Sequence, residues 1–441
     1  MKVSSQAPAR EAPGPSTDRL GFNRTRIRTR GGKPLKGNIR ISGAKNATLP
    51  IMAASLLTEE RCVLENVPML NDIYVMADLL RHLGAEVEVD TDHHRVTIQA
   101  RDITCHEAPQ ALVESMRASF LASGPVLART GLMQTWAPGG CKLGSRPVDV
   151  DVRGFRKMGA DIFVGDGFYR MSGGRLAGAE IYMDYPSHTG TENLLMAATL
   201  ARGTTSIVNA ASEPEIVALG NVLGEMGAKV EGVGTPHLKV RGVERLHGFH
   251  TAILPDRIEA GTFAIAGVIT HGEVVLEQVS EPDMAPLTYK LREAGAEVWW
   301  SEQSMMVRGQ SALESLEIQA LPFPGFPTDL QAAMAVLLTQ ANGHSKIFER
   351  VYNDRLRYLP ELEKLGASFE LVNNQEARIH GPTPLRGARV TALDIRSGAC
   401  LILAGLAAQG ETIVEDIHHV RRGYEDIVSK FSSLGAEIEY V

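Results

Sequence analysis

The sequence predicts an α/β protein built from six copies of one unit, three to each of two domains, and three observations carry that prediction. The dipeptide Gly-Ala followed by a strand-like segment recurs at Gly84, Gly159, Gly227, Gly295, Gly366 and Gly435, at intervals of 75, 68, 68, 71 and 69 residues. Six occurrences at so even a spacing mark an internal repeat, with a period longer than that of the common solenoids. Each unit also carries a helix that is apolar nearly all round, and a chain of 441 residues exceeds what one hydrophobic core organises.

The elements follow one order in every unit. The apolar helix comes first, over 46–58, 117–130, 191–202, 257–271, 329–341 and 396–409. Runs such as Leu194-Leu195-Met196-Ala197-Ala198 leave it no polar face, so it is buried on every side. In most units a turn centred on glycine (Gly203, Gly272, Gly343, Gly410) leads to a β-branched strand such as Ser206-Ile207-Val208. A polar loop and an amphipathic helix follow, the latter over 216–226 in the third unit. The Gly-Ala phrase ends that helix, its glycine supplying the positive φ of a C-cap, and opens the next strand, as in Lys229-Val230-Glu231. Sheets layered around buried helices are the expected result.

Composition narrows the function. A net charge of -7 argues against a nucleic-acid binder, whereas a local Arg/Lys cluster can still focus positive potential on a small anion. No apolar run reaches the ~18–20 residues of a membrane helix. Cys62, Cys105, Cys141 and Cys400 are scattered, which suits a reducing cytosol better than a disulfide framework or a zinc site. Residues 1–22, rich in Pro, Ala, Ser and Arg, read as a disordered tail without the apolar stretch of a secretory signal.

The amino-terminal ends of the buried helices carry the charge. Lys45-Asn46, Arg117, Thr191-Glu192, Asp256-Arg257, Thr328-Asp329 and Asp394 with Arg396 all sit at or just before a first apolar turn. Capping accounts for Asp256, Thr191 and Asp329. It does not account for Lys and Arg, which oppose the helix dipole unless an anion lies between. Parallel helices would bring these ends to one face per domain, giving a cleft lined by Lys45, Arg117, Arg257 and Arg396. Arg355 and Arg422, in the loops of the fifth and sixth units, are candidates for the same cleft. The loop of the second unit departs from the pattern. In Pro138-Gly139-Gly140-Cys141-Lys142-Leu143-Gly144-Ser145-Arg146-Pro147, two cations flank one cysteine and favour its thiolate. Cys62 on a strand and Cys400 on an apolar helix read instead as buried and inert.

These residues form a resemblance. Ser42-Gly43-Ala44-Lys45-Asn46, Met116-Arg117-Ala118-Ser119, Pro138-Gly139-Gly140-Cys141 with Gly144 to Asp149, Pro255-Asp256-Arg257 to Thr262, and Phe326-Pro327-Thr328-Asp329 resemble the UDP-N-acetylglucosamine 1-carboxyvinyltransferase (enolpyruvyl transferase) family of the EPSP synthase superfamily. The likeness runs from about residue 24 to 441. It implies two inside-out α/β barrels, each of three units around buried parallel helices. The first would span 45–253 and carry the Cys141 loop, the second 24–44 plus 254–441, with the active site between them. It further implies transfer of an enolpyruvyl group from phosphoenolpyruvate to the 3-hydroxyl of UDP-N-acetylglucosamine, the first committed step of peptidoglycan synthesis, in the cytoplasm. No cofactor, metal, nucleic acid, membrane or obligatory protein partner is implied.

By the same resemblance Cys141 is the general acid and Asp329 takes the hydroxyl proton, while Lys45, Arg117, Arg146, Arg396 and Arg422 hold phosphate and carboxylate. Asn46, the segment Arg146, Pro147, Val148, Asp149 and Val150, and Ser187, Glu213, Val351, Arg355 and Asp394 fall where the family contacts the sugar nucleotide or arranges the cleft. Three positions depart from the family pattern. His188-Thr189 replace Val-Gly, Asn353-Asp354-Arg355 replace Glu-Asn-Arg, and Arg421 replaces the Asp before Arg-Gly-Tyr. They leave open an acceptor that is another nucleotide or nucleoside sugar, and a silent sugar-nucleotide binder is a third reading. Fosfomycin, an epoxide mimic of phosphoenolpyruvate, is expected to alkylate Cys141. Peptide mass mapping should find the adduct there, and an adduct on another cysteine, or on none, would contradict the thiolate argument.

Overall fold

The protein is described as a computed structural model over residues 25–139 and 148–441. Residues 1–24, with the expected tail, and 140–147 lie outside the described residues. Six apolar helices form the centre: Lys45–Ala54, Ser123–Thr130, His188–Thr199, Arg257–Ile269, Thr328–Thr339 and Ile395–Ala407. Two differ from the sequence expectation. The second begins as a 3-10 turn, Arg117–Ala122, before becoming α-helical. Pro125 has no N–H and its ring would clash with the carbonyl of Leu121, so it is accommodated only in the first turn of a new α-helix. The third starts a turn earlier than expected, because Ser187 caps it by accepting a hydrogen bond from the Gly190 N–H at 3.2 Å. Thr191 is therefore no cap, and Asp329 is the second residue of its helix, behind Pro327. Asp256 and Asp394 do cap, each accepting two backbone N–H bonds.

The strand after five of the six core helices meets it in one register. In Arg61–Glu65, Leu132–Trp136, Thr204–Val208, Glu273–Glu277 and Glu411–Glu415 the second and fourth residues are buried and the others are not. That alternation lays one sheet face on the helix. All six Gly-Ala glycines have positive φ, between 89° and 116°, the helix-terminating conformation that favours glycine.

Each unit hands a strand to the next. His250–Ala252, which follows the third unit, pairs in parallel with Arg61–Glu65 of the first. Glu107 bridges to the second unit at Gln134, and Glu180–Tyr182 pairs in parallel with Thr204–Val208 of the third. The first three units thus close into a ring. In the last three, Glu317–Ala320 and Arg389–Thr391 make the corresponding parallel pairs. The chain's first strands complete that second ring. Arg26–Arg30 lies antiparallel between Glu411–Glu415 and Glu437–Tyr440, and Lys36–Arg40 pairs in parallel with Glu273–Glu277. Two strands form here because Gly31 and Gly32, with Lys33, Pro34 and Leu35, redirect the chain from one sheet to the next. Two hydrophobic cores result, one from Ala44 to Ile253, the other from Ile27 to Ile41 together with Ile258 to Ile438.

Close helix approach is set by small residues. Gly124 packs on Asn193 so tightly that a methyl group there would lie 2.4 Å from its carbonyl oxygen. The Gly124 N–H donates to Asn193 Oδ1 at 2.7 Å, and Asn193 Nδ2 reaches Asp151 at 2.8 Å. Gly124→Ala is expected to cost about 1–3 kcal/mol through overpacking. Gly224→Ala, where nothing lies within 4 Å, should stabilise its helix by about 0.5–1 kcal/mol. Urea unfolding of both variants checks this, and an equal response would refute the close-approach account.

Candidate functional site

All six core helices bring their amino-terminal turns to one cleft, of about 670 Å³, lying between the two cores. The ends of such helices carry N–H groups without intrahelical partners and the positive pole of the dipole. Lys45 and Asn46, Arg117, Ser187, Arg257, Asp329 and Arg396 line the cleft from the six ends. Arg355 and Arg422 enter from their loops, as the sequence suggests.

Two carboxylates organise the cations. Asp72 receives Arg422 through Nε at 2.9 Å and Nη2 at 3.3 Å, and Lys45 Nζ at 3.4 Å. Its own side chain is 4% exposed and that of Lys45 10%, so both ions are nearly desolvated. Burial lowers the Lys45 pKa, and Arg396 and Arg422 lower it further, against the charge of Asp72. Asp329 receives Arg355 Nη2 at 2.8 Å on one oxygen and Arg396 Nη2 at 2.9 Å on the other. Burial alone would raise its pKa, but the charges of Arg396 and Arg355 hold this carboxyl well below the usual range. Four cations thus face two carboxylates, and that excess suits a polyvalent anion. One buried group asks for such an anion directly. Arg396 Nη1 has no hydrogen-bond partner among the described residues, and its guanidinium lies 5.3 Å from the Tyr424 ring centroid.

Arg257 lines the cleft as expected, but it already has a counter-ion. Both Glu215 oxygens engage it, Nε at 3.0 Å and Nη2 at 3.2 Å, so its charge is neutralised within the wall. Glu215 is held down to about 2: burial opposes this, and Arg257 and His188 together outweigh it.

The remaining sequence-predicted residues sort by position. Asp149, Val150, Ser187, Glu213, Val351 and Asp394 line the cleft. Asp394 also caps its helix through Arg396 N and Ser397 N. Val148 is buried and lines a small adjoining crevice with Arg117, Pro138 and Asp151. Cys141, Arg146 and Pro147 lie outside the described residues. Cys62 and Cys400 are fully buried, and burial raises both thiols, Cys62 to about 12. Among the described residues no three His, Cys, Asp or Glu side chains are grouped to hold a metal ion, and no helix is long and apolar enough to cross a membrane.

Sequence reasoning missed Asp72, Glu215 and Glu425. Asp72 sits in the first turn of an amphipathic helix, Asn71–Leu83, where an acid is ordinarily a dipole partner. Glu425 accepts Ser42 Oγ and the Met69 N–H, each at 2.6 Å, joining the loop of the sixth unit to the first unit. No local pattern announces either contact, since the partners lie 350 and 356 residues away.

Comparison with known proteins gives one answer. The family model described as EPSP synthase (3-phosphoshikimate 1-carboxyvinyltransferase) matches residues 29–431. The chain is 48% identical over 413 residues to UDP-N-acetylglucosamine 1-carboxyvinyltransferase 2 of Carboxydothermus hydrogenoformans, covering 93% of this chain and 98% of that one. It is 44% identical over 405 residues to UDP-N-acetylglucosamine 1-carboxyvinyltransferase 1 of Caldanaerobacter subterraneus subsp. tengcongensis, covering 92% and 97%. Among solved structures it is similar to the enolpyruvyl transferase NikO from Streptomyces tendae, with TM-score 0.86 and 25% identity over 95% of this chain and 99% of that one. EPSP synthase from Acinetobacter baumannii, at 18% identity, 94% and 100% coverage and TM-score 0.74, shares the fold.

Asp72→Asn removes the counter-charge shared by Lys45 and Arg422. Breaking a buried pair leaves an uncompensated ion, and the expected loss is about 3–5 kcal/mol. Inorganic phosphate should restore part of it by binding the freed cations. Chemical denaturation with and without phosphate measures both effects, and an unchanged midpoint would remove Asp72 from this role.

Proposed function

The chain belongs to the EPSP synthase family, and we propose that it transfers the enolpyruvyl group of phosphoenolpyruvate to the 3-hydroxyl of UDP-N-acetylglucosamine, releasing phosphate. It is a transferase of enolpyruvyl groups. The observation that carries the acceptor-independent part is the set of Lys45 and Arg422 around Asp72, and Arg355 and Arg396 around Asp329, in one cleft. The acceptor rests on the relatives at 44% and 48% identity, whose names specify UDP-N-acetylglucosamine. The setting is the cytoplasm, at the first committed step of peptidoglycan synthesis.

The chemistry follows from the charges. Phosphoenolpyruvate brings a phosphate and a carboxylate, and Lys45, Arg117, Arg396 and Arg422, with Arg146, hold them and offset charge that develops during transfer. The sugar hydroxyl oxygen bonds to C2 while C3 accepts a proton, giving a tetrahedral intermediate. Phosphate then leaves C2 and C3 gives up a proton, which restores the double bond. Cys141 supplies the proton to C3, and Asp329 takes the proton of the hydroxyl.

Asp329 is a weak base while two guanidiniums hold it. An anionic substrate drawing Arg396 towards itself would release one oxygen and raise its proton affinity. Binding of phosphoenolpyruvate and activation of the base are thereby coupled. Closure of the two domains on the sugar nucleotide completes this proposal, with residues 45–253 forming one domain and 24–44 with 254–441 the other.

Phosphate release should require both phosphoenolpyruvate and UDP-N-acetylglucosamine. A panel of other nucleotide and nucleoside sugars tests the acceptor, and no release with UDP-N-acetylglucosamine would sink the reading. Asp329→Asn and Cys141→Ala should each lower kcat by about 10²–10⁴ with the fold intact by circular dichroism.

A further inference from the structure

One part of the cleft wall has no role in the chemistry above. His188 opens the third core helix, and its side chain is 28% exposed to the cleft. Its Nδ1 lies 3.4 Å from Glu192 Oε1, one turn further along the helix. Its Nε2 lies 3.9 Å from Glu215 Oε2, beyond hydrogen-bond reach. The side chains of Glu192 and Glu215 are 1% and 2% exposed. Glu213, 9% exposed and also on the cleft, has a buried Oε2 without a hydrogen-bond partner among the described residues.

The charges facing His188 come from three elements. Glu192 belongs to its own helix, Glu213 and Glu215 lie at the start of Pro214–Glu225, and Arg257 opens the fourth core helix. Asp283, on Glu281–Glu293, lies in the field of Glu215 and Arg257. Close to the imidazole, three carboxylates meet Arg257 and His188. With the ring protonated the local excess is one negative charge; with the ring neutral it is two. An anionic acceptor is repelled more strongly in the second state. A protonated Nε2–H also adds a donor beside the amino-terminal N–H groups of the helix, which have no intrahelical partners.

We propose that His188 is a specificity-determining residue for the acceptor, its Nε2–H donating to a diphosphate-type anion while Glu192, on the Nδ1 side, orients the ring. The proposal rests on the reading that this cleft takes a sugar nucleotide. Glu213, with an acceptor oxygen left over, matches the hydroxyl and N–H donors that a nucleoside carries next to its phosphates. Burial by itself would lower the imidazole pKa, but Glu192, Glu215 and Glu213 raise it well above 6.5. That direction favours the cationic ring. Affinity for the anion holds through neutral pH and falls as the pH rises through that raised pKa.

The test is calorimetric titration of the full chain with UDP and, separately, with uridine, which lacks the diphosphate. Wild type, His188→Gln and His188→Val are compared from neutral to alkaline pH. At neutral pH both variants should bind UDP about tenfold more weakly or worse, the usual loss for a hydrogen bond to a charged group, with uridine within about twofold by the same scale. The alkaline loss of UDP affinity should be present in wild type and absent from His188→Gln, which keeps the size of the side chain. A distorted wall would instead weaken UDP and uridine alike. That result, an unchanged UDP affinity in His188→Gln, equal alkaline losses in both proteins, or no UDP binding at all would each overturn the proposal. Phosphate release separates it from the parent reading. Turnover of UDP-N-acetylglucosamine with UDP binding indifferent to His188 removes only the proposal. UDP binding that depends on His188 without turnover removes only the assigned reaction.

Discussion

The structure depends on one constraint, which is that a helix apolar on every side is stable only when buried, while its end groups are polar and need partners. Six such helices occupy the two cores, and the protein resolves the conflict by bringing all six amino termini to a shared cleft. Packing therefore creates the binding site. Sheets cover the remaining helix surface, and each ring closes because every unit lends a strand to its neighbour. The chain's own first strands complete the last ring, which ties residue 26 to residues 411–440.

A cleft of converging helix termini attracts negative charge, and the protein supplies part of it. Asp72 serves Lys45 and Arg422, Asp329 serves Arg355 and Arg396, and Glu215 serves Arg257. These pairs are not equivalent. Arg257 is matched on both nitrogens by one carboxylate, so its contribution is to hold the wall. Around Asp72 and Asp329 the cations outnumber the anions, and Arg396 keeps a buried N–H without an acceptor among the described residues. The surplus is what a small polyvalent anion can satisfy. Because Asp329 is both a counter-ion and the proposed base, occupancy of the anion site and basicity at the sugar hydroxyl are linked through Arg396.

Cross-unit contacts hold the two halves of the cleft together. Glu425 reaches Ser42 and Met69, and Glu259 accepts the Ser42 N–H and Lys430 Nζ, each at 2.7 Å. Ser42 lies just before Lys45, at a crossing between the cores, so these bonds position the first helix end as well as the chain passing through. Geometry at Lys45 is set from both sides of the cleft.

Periodicity and residue type alone established the six units, the glycine caps, the buried helices and the charged helix starts. Each is a local property, readable wherever spacing and side-chain character agree. The same local view erred where short-range geometry overrode pattern: Pro125 split the second helix, and Ser187 moved the start of the third. It placed Arg257 on the cleft but left its counter-ion unnamed, because nothing near it in sequence indicates Glu215. Only the tertiary structure paired Asp72 with Arg422 across 350 positions and set Glu425 against Met69 across 356. The reason is physical. A buried charge is defined by whichever counter-charge folding brings to it, and the chain records that partner in no periodicity.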